Sequence, residues 1–123
     1  MSQDIVSDAL NQIMNAKRVE KKELIIRQSS KFLINLLEIM KKYHHINYKL
    51  TEDGLKIEIL KLNKCMAIKP RYYVQTDEIE KYLRRFLPSR NFGTMIISTS
   101  KGLLTQDEAK EKNIGGSLIA YFY

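Results

Sequence analysis

Residues 46–59 read INYKLTEDGLKIEI. Ile46, Tyr48 and Leu50 alternate with polar neighbours, and so do Leu55, Ile57 and Ile59. A period of two puts each set on one face of a strand. Thr51-Glu52-Asp53-Gly54 lies between them, and Asp-Gly is a strong turn signal. The stretch is therefore a β-hairpin, and any fold assigned to the chain must contain sheet.

The flanking segments supply helices. Ile5, Val6, Ala9, Leu10, Ile13 and Met14 recur at helical spacing, which predicts a helix from about Gln3 to Ala16. Residues 15–22 (NAKRVEKK) read as a solvated, mostly basic connector, followed by a short strand, Glu23 to Arg27. Ser29 or Ser30 caps a second helix to about Tyr43, with Phe32, Leu33, Leu36, Leu37 and Met40 inward. This gives an α-β-α-β-β lobe over residues 1–61, and residues 62–70 join it to the next.

The second lobe, residues 62–123, is mixed β with short helices. Arg71 to Val74 suits a short strand. Asp77 to Phe86 suits a helix with an acidic first turn and a basic last turn, and Pro88 stops it. Thr94 to Ser98 is a strand. Thr105 and Glu108 form a capping box for a helix to about Lys112. Gly115-Gly116 turns the chain into a last strand, Ser117 to Tyr123, in which Ile119, Tyr121 and Tyr123 share a face that suits core packing better than the alternative, stacking of the tyrosines on RNA. The class is α+β in two small lobes.

The 123 residues include 21 Lys and Arg against 14 Asp and Glu, a net charge of +7. A polyanion is the first partner to consider. One cysteine, Cys65, excludes an internal disulfide and a multi-cysteine zinc site. The N-terminus has no basic leader, and no apolar run approaches the roughly 20 residues of a membrane span. No GxSxG elbow, phosphate loop or HExxH motif is present. His44-His45 reads as an ordinary helix end, and Cys65 as a packing residue. The expectation is no catalysis, no cofactor and no metal.

Basic residues interleaved with polar and aromatic ones are more informative. One cluster is Asn15, Lys17, Arg18, Lys21 and Lys22, continuing to Arg27 and Ser29-Ser30-Lys31. A second is Lys64, Lys69, Arg71, Tyr72 and Tyr73. A third is Arg84, Arg85, Ser89, Arg90, Asn91 and Phe92. Lysine and arginine neutralise phosphates and release counterions. The run Ser98-Thr99-Ser100-Lys101-Gly102 sets three hydroxyls before a lysine and a glycine. Such hydroxyls suit the shallow minor groove of A-form RNA, and Gly102 would let the backbone approach closely. The run also suits a plain Ser/Thr turn ending a strand.

The stretch STSKGLLTQDEAKEKNIGGSLIAYFY resembles the C-terminal end of the universal small-ribosomal-subunit protein family called S eight. SDALNQIMNAKR and the later SSK also look like this family. LNKC before a Pro-Arg, then PRYYV and LPSRNFG, look like its archaeal and eukaryotic branch, called S fifteen a in eukaryotes. The resemblance implies two α+β lobes and a primary rRNA-binding protein of a 40S-type subunit. It implies a central-domain helix of the small-subunit rRNA as ligand, ribosomal proteins as neighbours, and neither DNA nor a membrane as partner. Location would be the cytoplasmic ribosome, with nucleolar assembly if the source is eukaryotic.

Carried over, the RNA-binding residues are Asn15, Lys17, Arg18, Ser30 and Lys31 in the first lobe. In the second they are Ser98, Thr99, Ser100, Lys101, Gly102, Gly115 and Gly116. The basic clusters add Arg27, Arg71 and Arg90. The region from Tyr48 to Lys56 is shorter than the eukaryotic pattern, and Ser117 stands where bacterial members carry an acidic residue. An RNA-binding regulator with the same fold, acting outside the ribosome, is the rival reading.

Overall fold

The computed structural model describes residues 5–89 and 92–123. The first helix, α1 (Ile5–Arg18), forms because Val6, Ala9, Leu10, Ile13 and Ala16 fall on one buried stripe. It continues past Ala16. Lys17 and Arg18 complete its last turn, where positive charge opposes the carbonyl end of the helix dipole. Lys17 and Arg18 are thus helix rather than connector. The expected start at Gln3 lies outside the described residues.

Strand β1 (Glu23–Ile26) follows, then α2 (Lys31–Lys42). Ser30 caps α2, its side-chain oxygen accepting from the Leu33 N–H at 3.1 Å. Leu33, Leu36, Leu37 and Met40 are buried, and Phe32 is half-buried. The hairpin is β2 (Ile46–Thr51) with β3 (Gly54–Ile59), and Thr51 stands opposite Gly54. β1 pairs with the other side of β3, giving an antiparallel sheet of order β1-β3-β2. α1 rests on β1 and α2 on β2. Leu55 and Ile57 are buried, but Leu50 is 66% exposed. It sits one residue from the turn, and periodicity alone does not say where the covering helices end.

The turn also departs from the expected Asp-Gly geometry. Its central residues are Glu52 and Asp53, and the positive φ falls on Gly54, at 133°, already inside β3.

The chain divides between Cys65 and Met66 into two compact units. Strand β4 (Cys65–Ala67) lies in the stretch read as a simple join. Three residues are too few to show a period of two. β5 is Tyr73–Val74, and α3 (Ile79–Phe86) is preceded by one 3-10 turn, Thr76–Glu78. β6 (Thr94–Thr99) and β7 (Gly102–Thr105) form a second hairpin. β7 is absent from the sequence reading, because Leu103-Leu104 does not alternate with polar residues. Thr105 caps α4 (Gln106–Lys112) through the expected capping box. Asn113 ends the helix in the left-handed conformation, at φ 54°.

The last strand, β8 (Gly116–Phe122), is central. The second sheet has the order β4-β8-β6-β7, with β5 also pairing with β8. Its core gathers Val74, Ile79, Leu83, Met95, Ile97, Leu104, Ala109, Leu118 and Tyr121. Tyr72, Tyr82, Phe86 and Tyr123 pack against it half-buried. Tyr121 is thus a core residue, but it shares its core with Leu118 rather than Ile119, because β8 shifts register against β6 between the Ile97–Leu118 and Ile96–Ala120 pairs. Lys110 of α4 joins Glu80 of α3 at 2.7 Å.

Candidate nucleic-acid interface

The Ser98–Gly102 run is a tight hairpin rather than a loop. Ser98 and Thr99 end β6, Ser100 and Lys101 form the tip, and Gly102 opens β7 opposite Thr99. The Thr99 hydroxyl donates to the Gly102 carbonyl at 2.8 Å. The same oxygen accepts the Lys101 N–H at 3.1 Å. Ser100 and Lys101 are exposed, and their side chains carry no hydrogen bond or ion pair among the described residues. Ser98 is half-buried.

Gly102 has φ of 101°, which side-chain-bearing residues rarely adopt. A Cβ built there would meet nothing within 4 Å, so the face above it is open. Gly115 and Gly116 differ. A Cβ on Gly116 would collide with the Ser98 carbonyl, and one on Gly115 with the Val74 carbonyl. Gly116 is buried. The pair seats β8 between β5 and β6 and so fixes the backbone at the base of the hairpin.

In the first lobe, Asn15, Lys17 and Arg18 sit on the last turn of α1. Asn15 and Arg27 line adjoining parts of a groove between α1 and β1, shared with Gln12 and Ile25. Lys31 is exposed at the first turn of α2. Lys17, Arg18, Arg27 and Lys31 carry no ion pair among the described residues. Ser30 spends its side-chain oxygen on the cap. Arg71 is exposed beside β5. Arg90 lies outside the described residues, as does Asn91.

The third basic cluster is partly turned to its own rings. The Arg85 guanidinium sits 5.6 Å from the Tyr72 ring centre and 5.5 Å from that of Phe86. Phe92 is half exposed and leans on Tyr123, with ring centres 5.8 Å apart. Tyr72 and Phe92 stand in the basic clusters read from the sequence, but spacing alone pairs neither Arg85 with Tyr72 nor Phe92 with Tyr123.

Of the groups considered for catalysis, Cys65 is buried, while His44 is exposed and His45 half-buried. Cys65 is 1% exposed, and its thiol points at the Leu10 carbonyl, 3.7 Å away. Burial pushes the thiol up to about 12, opposite to what a nucleophile needs. His45 Nδ1 lies 2.6 Å from the Lys61 carbonyl, and His44 holds a positive φ at the end of α2. No group of three potential metal ligands occurs among the described residues, and no described helix is long and apolar enough to cross a membrane.

Known proteins resemble this chain along nearly its whole length. The family model described as Ribosomal protein S8 matches residues 4–123. A protein of Nanoarchaeum equitans (strain Kin4-M), named small ribosomal subunit protein uS8, is 45% identical over the whole of both chains. One of the same name from Methanococcoides burtonii is 41% identical over 98% of this chain and 97% of its own. The family is structural and non-enzymatic. The family model covers nearly the full length and both relatives are more than 40% identical, and the chain belongs to the ribosomal protein S8 family.

Proposed function

We propose that this chain is a structural protein of the small ribosomal subunit that binds its rRNA, and that the Ser98–Gly102 hairpin distinguishes the cognate RNA fold from others. The observation that carries this is the exposed tip of hydroxyls and lysine on β6–β7, with an open face at Gly102. Lys17, Arg18, Arg27 and Lys31 of the first lobe, with Lys101 of the second, attract phosphates and set affinity. Ser98 and Ser100 offer hydroxyls to 2′-hydroxyls and base edges, which a DNA duplex does not present in the same way. The ligand is a helix of the central domain, in a subunit of the archaeal and eukaryotic type. Its neighbours are other ribosomal proteins, and its place is the cytoplasmic ribosome, with nucleolar assembly in a eukaryotic source.

The test is equilibrium binding of the purified protein to a central-domain rRNA fragment across a salt titration, with a DNA duplex and a scrambled hairpin alongside. Tight binding to the fragment that resists both competitors is the expected result. Equal, weak binding to all three, lost with modest salt, overturns the reading and leaves only a generic basic surface.

A further inference from the structure

The hairpins β2–β3 and β6–β7 share one lock. In the first, Thr51 pairs with Gly54, and the Thr51 hydroxyl donates to the Gly54 carbonyl at 2.9 Å. In the second, Thr99 pairs with Gly102, and the Thr99 hydroxyl donates to the Gly102 carbonyl at 2.8 Å. Both glycines hold positive φ, 133° and 101°. The tips differ: Glu52-Asp53 in one, Ser100-Lys101 in the other. An acidic tip repels phosphate, so the threonine at the first hairpin does its work without RNA. The same bond at the second hairpin therefore has a reason to exist that is independent of RNA.

We infer that Thr99 is a positioning residue for RNA recognition, which sets the Ser98 and Ser100 hydroxyls in place and gives no hydrogen to the RNA itself. A hydroxyl has one proton and two lone pairs. The Thr99 proton is committed to the Gly102 carbonyl, and one lone pair takes the Lys101 N–H. Phosphate oxygens and acceptor base edges need a donor, which Thr99 cannot be while the hairpin holds. The inference rests on the proposed RNA-binding role of this hairpin.

The experiment compares Thr99→Val, which keeps the shape and loses both bonds, with Thr99→Ser, which keeps the hydroxyl, and with Thr51→Val as the control. Binding to the central-domain fragment is measured for each, alone and with Ser98→Ala and Ser100→Ala together. Thr99→Val alone weakens binding about tenfold, the cost of one well-made hydrogen-bonded contact. Thr99→Ser restores it, and Thr51→Val leaves it within about twofold. With both serines already alanine, Thr99→Val adds less than about twofold, because the groups it positions are gone. A full tenfold further loss in that background means direct contact and overturns the inference, and so does no loss from Thr99→Val alone.

Amide hydrogen exchange of the free protein tests the lock without RNA. The Lys101 N–H exchanges at least about tenfold slower than in an unfolded chain, and faster in Thr99→Val than in Thr99→Ser. Exchange at the unfolded-chain rate in the unaltered protein overturns the lock, even were Thr99→Val not to fold. Failure of the unaltered protein to prefer its rRNA fragment would defeat the functional reading instead, with the exchange result still standing.

Discussion

The hairpins β2–β3 and β6–β7 have the same Thr-x-x-Gly register and the same threonine-to-glycine hydrogen bond, yet only the second leaves the face above its glycine open. A Cβ on Gly54 would lie 2.5 Å from the Ile26 carbonyl, because β1 crosses directly against it. A Cβ on Gly102 would meet nothing. The first glycine is needed twice, for its φ and for its neighbour. The second is needed once, for its φ, and its open face is surface. The first tip carries two acids and the second a hydroxyl and a cation. The same register thus packs its glycine against a neighbouring strand in the first hairpin and leaves it open in the second, and the two tips differ in charge.

The largest effect that could break this comparison is on stability. Gly54→Ala combines positive-φ strain with a collision against fixed backbone, and should cost about 4 kcal/mol. Gly102→Ala adds strain alone and should cost about 2 kcal/mol. Urea unfolding of the two variants checks the order, and equal losses would mean that the crowding by β1 does not matter.

Next in size are the locks. Thr51→Val and Thr99→Val should each cost about 1 kcal/mol, the net worth of a partly exposed hydrogen bond. Thermal unfolding should therefore show two similar shifts, whatever the tips carry. A much larger loss at Thr99 would show that the second hairpin depends on its lock for more than local order.

A smaller effect separates charge from shape. Lys101→Ala and Lys31→Ala should each lower the slope of log affinity against log salt by about one, with little change in the preference for cognate over scrambled RNA. Glu52→Ala should leave the slope within experimental scatter. A change in preference from Lys31→Ala would place sequence discrimination in the first lobe.

Local signals made much of the fold legible. The capping box at Thr105 and Glu108, the serine cap before Lys31 and the apolar stripes of α1 and α2 are contained within a few residues. What escaped depends on distant partners. β4 is three residues long and takes its meaning from β8, some fifty residues later. β7 hides in Gly102-Leu103-Leu104-Thr105, whose strand character comes from pairing with β6. The helix end reads as Ala16 because the residues after it are mostly basic, although Lys17 and Arg18 complete the last turn of α1.

The candidate site was legible as a composition of side chains and not as a division of labour. Three consecutive hydroxyls look equivalent in sequence. Register makes Thr99 the strand partner of Gly102 and leaves Ser100 at the tip. Gly115 and Gly116 read as a turn, and the collisions that define their packing are with Val74 and Ser98, which spacing cannot bring near.

The most direct measurement exchanges the tips. One variant carries Ser100→Glu with Lys101→Asp, and the other carries Glu52→Ser with Asp53→Lys. Each is titrated against the central-domain rRNA fragment and its scrambled counterpart at fixed salt. The account predicts that the first variant loses about 1–3 kcal/mol of preference for the cognate fragment and that the second keeps it. A first variant that still prefers the cognate fragment as strongly as the unaltered protein would contradict it.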